Sequence, residues 1–199
     1  MVPVNLQHIR LDPYDALIIV DVQNDFLPGG NLAVPDGDAV IAPLNQYIES
    51  FHSKGLPIYA TRDWHPLDHC SFKQRGGIWP PHCVAGTSGA DFSALLKLPP
   101  ETIVISKAAT PNKDAYSGFE GTTLDQQLRE QGIKRLFIGG LATDYCVLNT
   151  VKDALGKRYD VFLLQDAMRA VNVKPDDGDE AKQEMSRLGA IPVSYNTIS

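Results

Sequence analysis

Three of the five histidines in this 199-residue chain, His65, His69 and His82, fall in one stretch, and Asp63 stands just before it. Imidazole and carboxylate together suit zinc, iron or manganese. Asp63 and His65 are two residues apart, so on an extended segment both side chains point to one side, and His82 can close the site once the chain returns. Alone, Asp-x-His is a weak signal, because loop histidines are as readily solvated or hydrogen-bonded as ligating. A second set of residues needs no metal. Cys146 opens an apolar helical pattern of Val147, Val151, Ala154 and Leu155, where free backbone N–H groups and the helix dipole favour an anion. The expectation is a lowered thiol pKa and a nucleophile; the alternative is a small buried hydrophobe, the reading adopted for Cys70 and Cys83. Asp21 follows Ile18, Ile19 and Val20, and Lys107 follows Ile103, Val104 and Ile105. A carboxylate, an ammonium and a thiol thus all leave the carboxyl ends of apolar strands, the edge of a parallel sheet where ligands bind.

The elements that must carry these residues are legible as short apolar runs at 16–22, 57–61, 102–106, 135–139, 160–164 and 191–193. None alternates strictly. Such runs read as strands buried on both faces, and their interleaving with helices predicts parallel pairing through right-handed crossovers in a single α/β domain. Val40, Leu44, Ile48 and Phe51 mark a first helix that stops at Gly55, with Pro43 in its first turn. A second spans 123–131, with Thr123 and Gln126 at capping-box spacing and Gly132 beyond its end. A third runs over 143–155 and a fourth, weaker one over 179–188. The stretch from Trp64 to Asp91 has no sustained period and is long for a connection, which marks it as functional. Residues 1–15 are expected as an N-terminal arm.

Composition narrows the partners. A net charge of −6 and a pI near 5.3 disfavour nucleic acid, whose binding needs clustered Lys and Arg. No apolar run approaches the roughly 20 residues that span a bilayer, so no membrane partner is expected. Three cysteines at irregular spacing, with no signal-peptide pattern, read as a cytoplasmic chain with at least one free thiol. Gly139 and Gly140 lie together without the spacing of a nucleotide loop. A homo-oligomer is compatible with the pattern, which identifies no surface for one.

The order of motifs carries a resemblance. Asp21-Val22-Gln23-Asn24-Asp25-Phe26, Thr61-Arg62-Asp63-Trp64-His65-Pro66, Trp79-Pro80-Pro81-His82-Cys83-Val84, Ile105-Ser106-Lys107, Tyr116-Ser117-Gly118-Phe119 and the block from Gly139 to Val147 resemble the nicotinamidase/pyrazinamidase group of the isochorismatase-like cysteine hydrolase superfamily. The resemblance implies a Rossmann-like, mainly parallel sheet of about six strands flanked by helices. It also implies a triad of Cys146 as nucleophile, Asp21 as proton acceptor and donor, and Lys107 as the cation that holds the pair. The backbone N–H groups of Ala142 and Cys146 would form the oxyanion hole, with a cis peptide between Leu141 and Ala142. Phe26, Trp79 and Tyr116 would wall the substrate ring. Asp63, His65 and His82 would hold one divalent ion, zinc with iron or manganese as alternatives, and His69 or Ser71 is the further candidate ligand. The implied reaction is hydrolysis of nicotinamide, and of pyrazinamide, to the acid and ammonia through a thioester, a step of NAD salvage. The water of the second half-reaction would be activated by Asp21 or near the metal. Competing readings are another amide hydrolase of the superfamily and a non-catalytic thiol redox sensor.

Overall fold

The computed structural model describes residues 8–198. Six parallel strands form one sheet: β1 (Asp15–Val20), β2 (Ile58–Asp63), β3 (Ile103–Lys107), β4 (Arg135–Leu141), β5 (Asp160–Arg169) and β6 (Ile191–Val193). Their spatial order is β3-β2-β1-β4-β5-β6. The order reverses at β1 and β4, and the crevice beyond their carboxyl ends is where such sheets bind ligands.

Burial on both faces explains why the strands lack alternation. Leu17 and Ile19 of β1 point into one core with Tyr47, Ile48 and Phe51 of helix α1 (Ile41–Ser53). Ala16, Ile18 and Val20 point into the other, which is covered by α2 (Leu124–Glu130), α3 (Leu148–Gly156) and α4 (Asp177–Leu188). β1 therefore carries two apolar faces within six residues. Its first residue, Asp15, is fully buried and takes both arms of Arg135, the first residue of β4, at 2.5 and 2.6 Å. That bidentate pair fixes the register Asp15 to Arg135 at the amino end.

Several expected bounds shift. β5 runs to Arg169 and β4 to Leu141, past the ends of their apolar runs, because the pairing resumes beyond an irregularity between Ile138 and Gly140. Gly140 has a φ of 122°, and a Cβ there would lie 2.2 Å from the Val20 carbonyl oxygen, so β1 and β4 meet only over a glycine. The capping box at Thr123 does not form: its side chain makes no cap hydrogen bond, the Leu124 N–H goes to Thr122 Oγ1 at 3.3 Å, and Gln127 Nε2 donates to Thr123 Oγ1 at 2.7 Å. The expected third helix is two pieces, a π-helical turn over Thr143–Val147 and then α3. Of the segment expected as an arm, residues 1–7 lie outside those described. Ile9 bridges to Ile198, Leu11 is buried, and Asp15 opens β1. No described helix is long and apolar enough to cross a membrane.

Candidate active site

Each residue with chemistry to offer reaches the carboxyl edge of the sheet from its own strand. Asp21 follows β1, Asp63 ends β2, Lys107 ends β3 and Cys146 follows β4. Register does the gathering, since Asp63 and Lys107 are direct partners across β2 and β3. Asp21 has a φ of 49°, the left-handed region that aspartate tolerates better than most residues. Its N–H still reaches the Thr61 carbonyl at 3.1 Å, so the chain turns there without leaving the sheet.

Lys107 is the hub, and it is 1% exposed. Its Nζ donates to Asp63 Oδ1, to the Ala115 carbonyl at 3.2 Å and toward Cys146 Sγ at 3.4 Å. It also stands 2.9 Å from Asp21 Oδ2 in an ion pair. That oxygen has no aligned hydrogen-bond donor, whereas Oδ1 takes the Thr61 hydroxyl at 2.6 Å. A lone pair of Oδ2 is thus left for a further proton. Asp21, Asp63 and Cys146 each bring one atom within 4.8 Å of the others.

One cation among two carboxylates and a thiol sets the electrostatics. Burial and the nearby Asp63 raise the Asp21 pKa above the usual carboxylate range, although Lys107 and Thr61 oppose this. Burial acts on Asp63 too, but Lys107 and His65 outweigh it and hold that carboxyl below its usual range. Burial alone would lower the Lys107 pKa; Asp21 and Asp63 outweigh it and push that pKa well up. The Cys146 thiol is also pushed well up, first by burial; Lys107 opposes this, and Asp21 and Asp63 add to it. This corrects the expectation of a lowered pKa. Cys146 sits inside a π-helical turn rather than at an open helix start, and its burial dominates. A buried, protonated thiol is poorly suited to redox sensing, which uses exposed thiolates.

Asp63, His65 and His82 present ligand atoms within 4.8 Å of one another, all three buried. The Nδ1 of His65 faces the Ala108 carbonyl at 3.2 Å and that of His82 the Pro80 carbonyl at 2.8 Å. With each Nδ1 donating to its carbonyl, each Nε2 is the ring nitrogen turned toward a ligand site, as in metal-binding imidazole, and that of His65 lies 3.6 Å from Asp63 Oδ2. One carboxylate and two such histidines fit a divalent ion. His69 and Ser71 stand outside this group. His69 Nδ1 meets Ser71 Oγ at 2.7 Å and its Nε2 meets the Lys113 carbonyl at 3.1 Å, while its ring stacks on His65 at 4.2 Å. Both nitrogens are already engaged, so His69 packs behind a candidate ligand.

A small cavity of about 40 Å³ joins the two groups. Phe26, Trp79 and Tyr116 line it as expected, together with Asp63, His82, Ala142 and Cys146. The Trp79 indole N–H donates to the Tyr116 hydroxyl at 3.0 Å, bracing two of the walls. Leu32, Val34, Tyr145 and Val171 complete the lining and were missed in the sequence. Tyr145 packs edge-on against Trp79 with ring centroids 5.2 Å apart, and its place beside Cys146 was the one available signal. The peptide between Leu141 and Ala142 is cis. Beyond it the carbonyl of Ala142 accepts the N–H groups of Tyr145 and Val147, both at 3.1 Å, which winds the turn around the cavity wall.

Comparison with known proteins agrees with this architecture. Residues 15–197 match the model of the isochorismatase domain. A nicotinamidase of Escherichia coli is 40% identical over 199 aligned positions, covering 89% of this chain and 93% of the relative. A nicotinamidase/pyrazinamidase of Mycobacterium tuberculosis is 43% identical over 70% of this chain and 78% of its own. Among solved structures, the pyrazinamidase of Pyrococcus horikoshii in complex with zinc superposes with a TM-score of 0.88 at 51% identity, covering 92% of this chain and 99% of that one. PnC1 from L. infantum in complex with nicotinate gives 0.89 at 35%, covering 96% and 98%. A domain match across nearly the whole chain, on the same six-stranded sheet, places this protein in the isochorismatase family.

Proposed function

We propose that the protein is a metal-dependent nicotinamidase, hydrolysing nicotinamide to nicotinic acid and ammonia, with pyrazinamide as a second substrate. The observation that carries this reading is the buried contact of Lys107 with Asp21, Asp63 and Cys146 beside an aromatic-walled cavity. The nicotinamidases and pyrazinamidases among its relatives, one of them solved with nicotinate, supply the substrate class.

The reaction follows from the charges. Cys146 gives its proton to Oδ2 of Asp21 as its sulfur attacks the carboxamide carbon. Neither group favours charge alone, and the shared Lys107 ammonium stabilises the thiolate as it forms. The N–H groups of Ala142 and Cys146 would hold the oxyanion; such a donor is worth about 3 to 4 kcal/mol of barrier. The protonated Asp21 then gives its proton to the departing nitrogen, releasing ammonia and leaving a thioester. The upward direction of the Asp21 pKa, set first by burial, suits a group that must carry a proton between two steps. Water attacks the thioester, Asp21 takes its proton, and the acid leaves as the thiol is restored. Phe26, Trp79, Tyr116 and Tyr145 exclude bulk water and orient the ring.

Asp63, His65 and His82 would hold the ion, zinc by analogy with the Pyrococcus horikoshii protein, and the same donor set also accepts iron or manganese. When bound, it supplies a Lewis-acid template for a ring nitrogen. The test is ammonia release from nicotinamide before chelation, after it, and after zinc is returned. Activity that disappears and recovers is expected; turnover indifferent to chelation removes the metal from the reading, and no release from zinc-loaded protein removes the substrate.

A further inference from the structure

Two buried polar side chains beside the site, Gln23 and Asp25, have no part in the chemistry above. Both lie on the turn that leaves β1 after Asp21. Gln23 brackets a single residue: its Oε1 accepts the N–H of Asp63 and its Nε2 donates to the Asp63 carbonyl, each at 2.8 Å. The same Nε2 reaches the Ala90 carbonyl at 2.9 Å. Asp25 Oδ2 accepts the N–H of Cys83 at 2.7 Å, and its Oδ1 accepts that of Asn31 at 3.1 Å. Cys83 follows His82 directly, with a φ of 46° in the left-handed region. Its carbonyl accepts the N–H of His65 at 3.0 Å, and the Ala85 N–H returns to the His65 carbonyl at 2.8 Å. One short turn therefore reaches all three candidate ligand segments through their backbones. Asp63 is held directly, and His82 and His65 through the two sides of Cys83. There is little slack, because a Cβ on Gly89 would lie 2.2 Å from Asp25 Oδ2.

We propose that Gln23 and Asp25 are positioning residues that set the spacing of Asp63, His65 and His82, so that ion affinity depends on the turn after Asp21. The inference rests on the metal reading above. A general brace and a positioning device differ in what they move: the first lowers the stability of the metal-free chain, the second lowers affinity for the ion.

The test is zinc affinity, by competition with a chromophoric chelator, for the wild-type chain and Asp25→Asn. Asparagine keeps the shape but puts an amide nitrogen, which cannot accept an N–H, where one oxygen stood. The expected result is a loss of affinity of about 10- to 100-fold, with unchanged circular dichroism and unchanged melting of the metal-free protein. The absorption spectrum of the cobalt-substituted site should also change. Affinity within twofold of wild type overturns the inference, as does a loss matched by a fall in metal-free melting temperature. Should Asp25→Asn fail to fold, Gln23→Met, which leaves the carboxylate in place, is held to the same criteria through Asp63. A wild-type chain that takes up no zinc overturns the metal reading and this inference with it, whereas normal zinc uptake by both variants overturns the inference alone.

Discussion

Strand β1 starts at one buried aspartate and is followed directly by another, and the two ends resolve that charge differently. At the amino end Asp15 meets Arg135 in a bidentate pair with both oxygens filled, and the more exposed Asp12 stands 3.2 Å from the same guanidinium. At the carboxyl end Asp21 shares a single Lys107 with Asp63 and Cys146, and its Oδ2 lacks an aligned donor. A closed pair fixes register and does nothing else. An under-neutralised cluster keeps a place for a proton and raises the pKa of both Asp21 and the thiol, a condition that stability alone would not select.

The sharpest break in the comparison is at Cys146. Replacing it with alanine removes the nucleophile while Lys107, Asp21 and the ligand group stay in place. Turnover of nicotinamide should fall by at least about 10⁴-fold, with zinc affinity retained. Undiminished ammonia release would end the nucleophile assignment. Asp21→Asn comes next, with a loss of about 10³-fold in kcat, within the range that general acid–base catalysis contributes. Its stability should not fall, because one of two carboxylates competing for Lys107 is gone. Denaturant unfolding beside activity checks both halves; a clear loss of stability would show that Asp21 is held like Asp15. Arg135→Met should give the opposite pattern. It strands Asp15 in the core, and breaking a buried pair in this way costs about 3 kcal/mol or more. The activity of the folded fraction should be unchanged, and a fall in kcat would contradict a purely architectural pair.

The same contrast decides what could be read from the sequence. Asp21, Lys107 and Cys146 were legible by position, because a polar residue directly after an apolar strand of a parallel sheet arrives at the ligand edge whatever the loops do. Strand number and parallel pairing were legible for a related reason, since runs such as Ile18-Ile19-Val20 have no polar face to expose. Asp63, His65 and His82 were legible from type and spacing only as a weak signal that the resemblance strengthened, because their convergence depends on a long loop whose path is held by Gln23, Asp25 and the left-handed Cys83. Those bonds join residues 40 and 58 positions apart and leave no local pattern. The direction of the Cys146 pKa was hidden for the same reason: helix-start reasoning is local, and the burial that raises it, with Asp21 and Asp63 adding, comes from packing of other elements. The extension of β5 was hidden by Gln165 and Asp166, which interrupt the apolar run while the backbone pairing resumes beyond them.

Between the two ends of β1 lies a third buried polar group that belongs to neither. Tyr59 pairs with Ile18 in register, is fully buried, and its hydroxyl has no partner. Burial raises its pKa to about 12, with Glu130 adding to the shift. Below pH 10 the hydroxyl is neutral whether the chain is folded or not, and its contribution does not change with pH. Between pH 10 and 12 the unfolded chain ionises there while the folded chain keeps its proton, so the wild-type protein loses stability as pH rises through that window. Tyr59→Phe removes both the orphaned hydroxyl and the titration. It should stabilise the protein by about 1 kcal/mol near neutral pH, and that advantage should widen from pH 10 to 12. Urea unfolding across the range measures it. Because the Tyr59 hydroxyl makes no hydrogen bond to either cluster among the described residues, kcat and zinc affinity should stay at wild-type values. Were they to shift with stability, the effects assigned to the carboxyl end would reflect the firmness of the sheet rather than the charge gathered around Lys107.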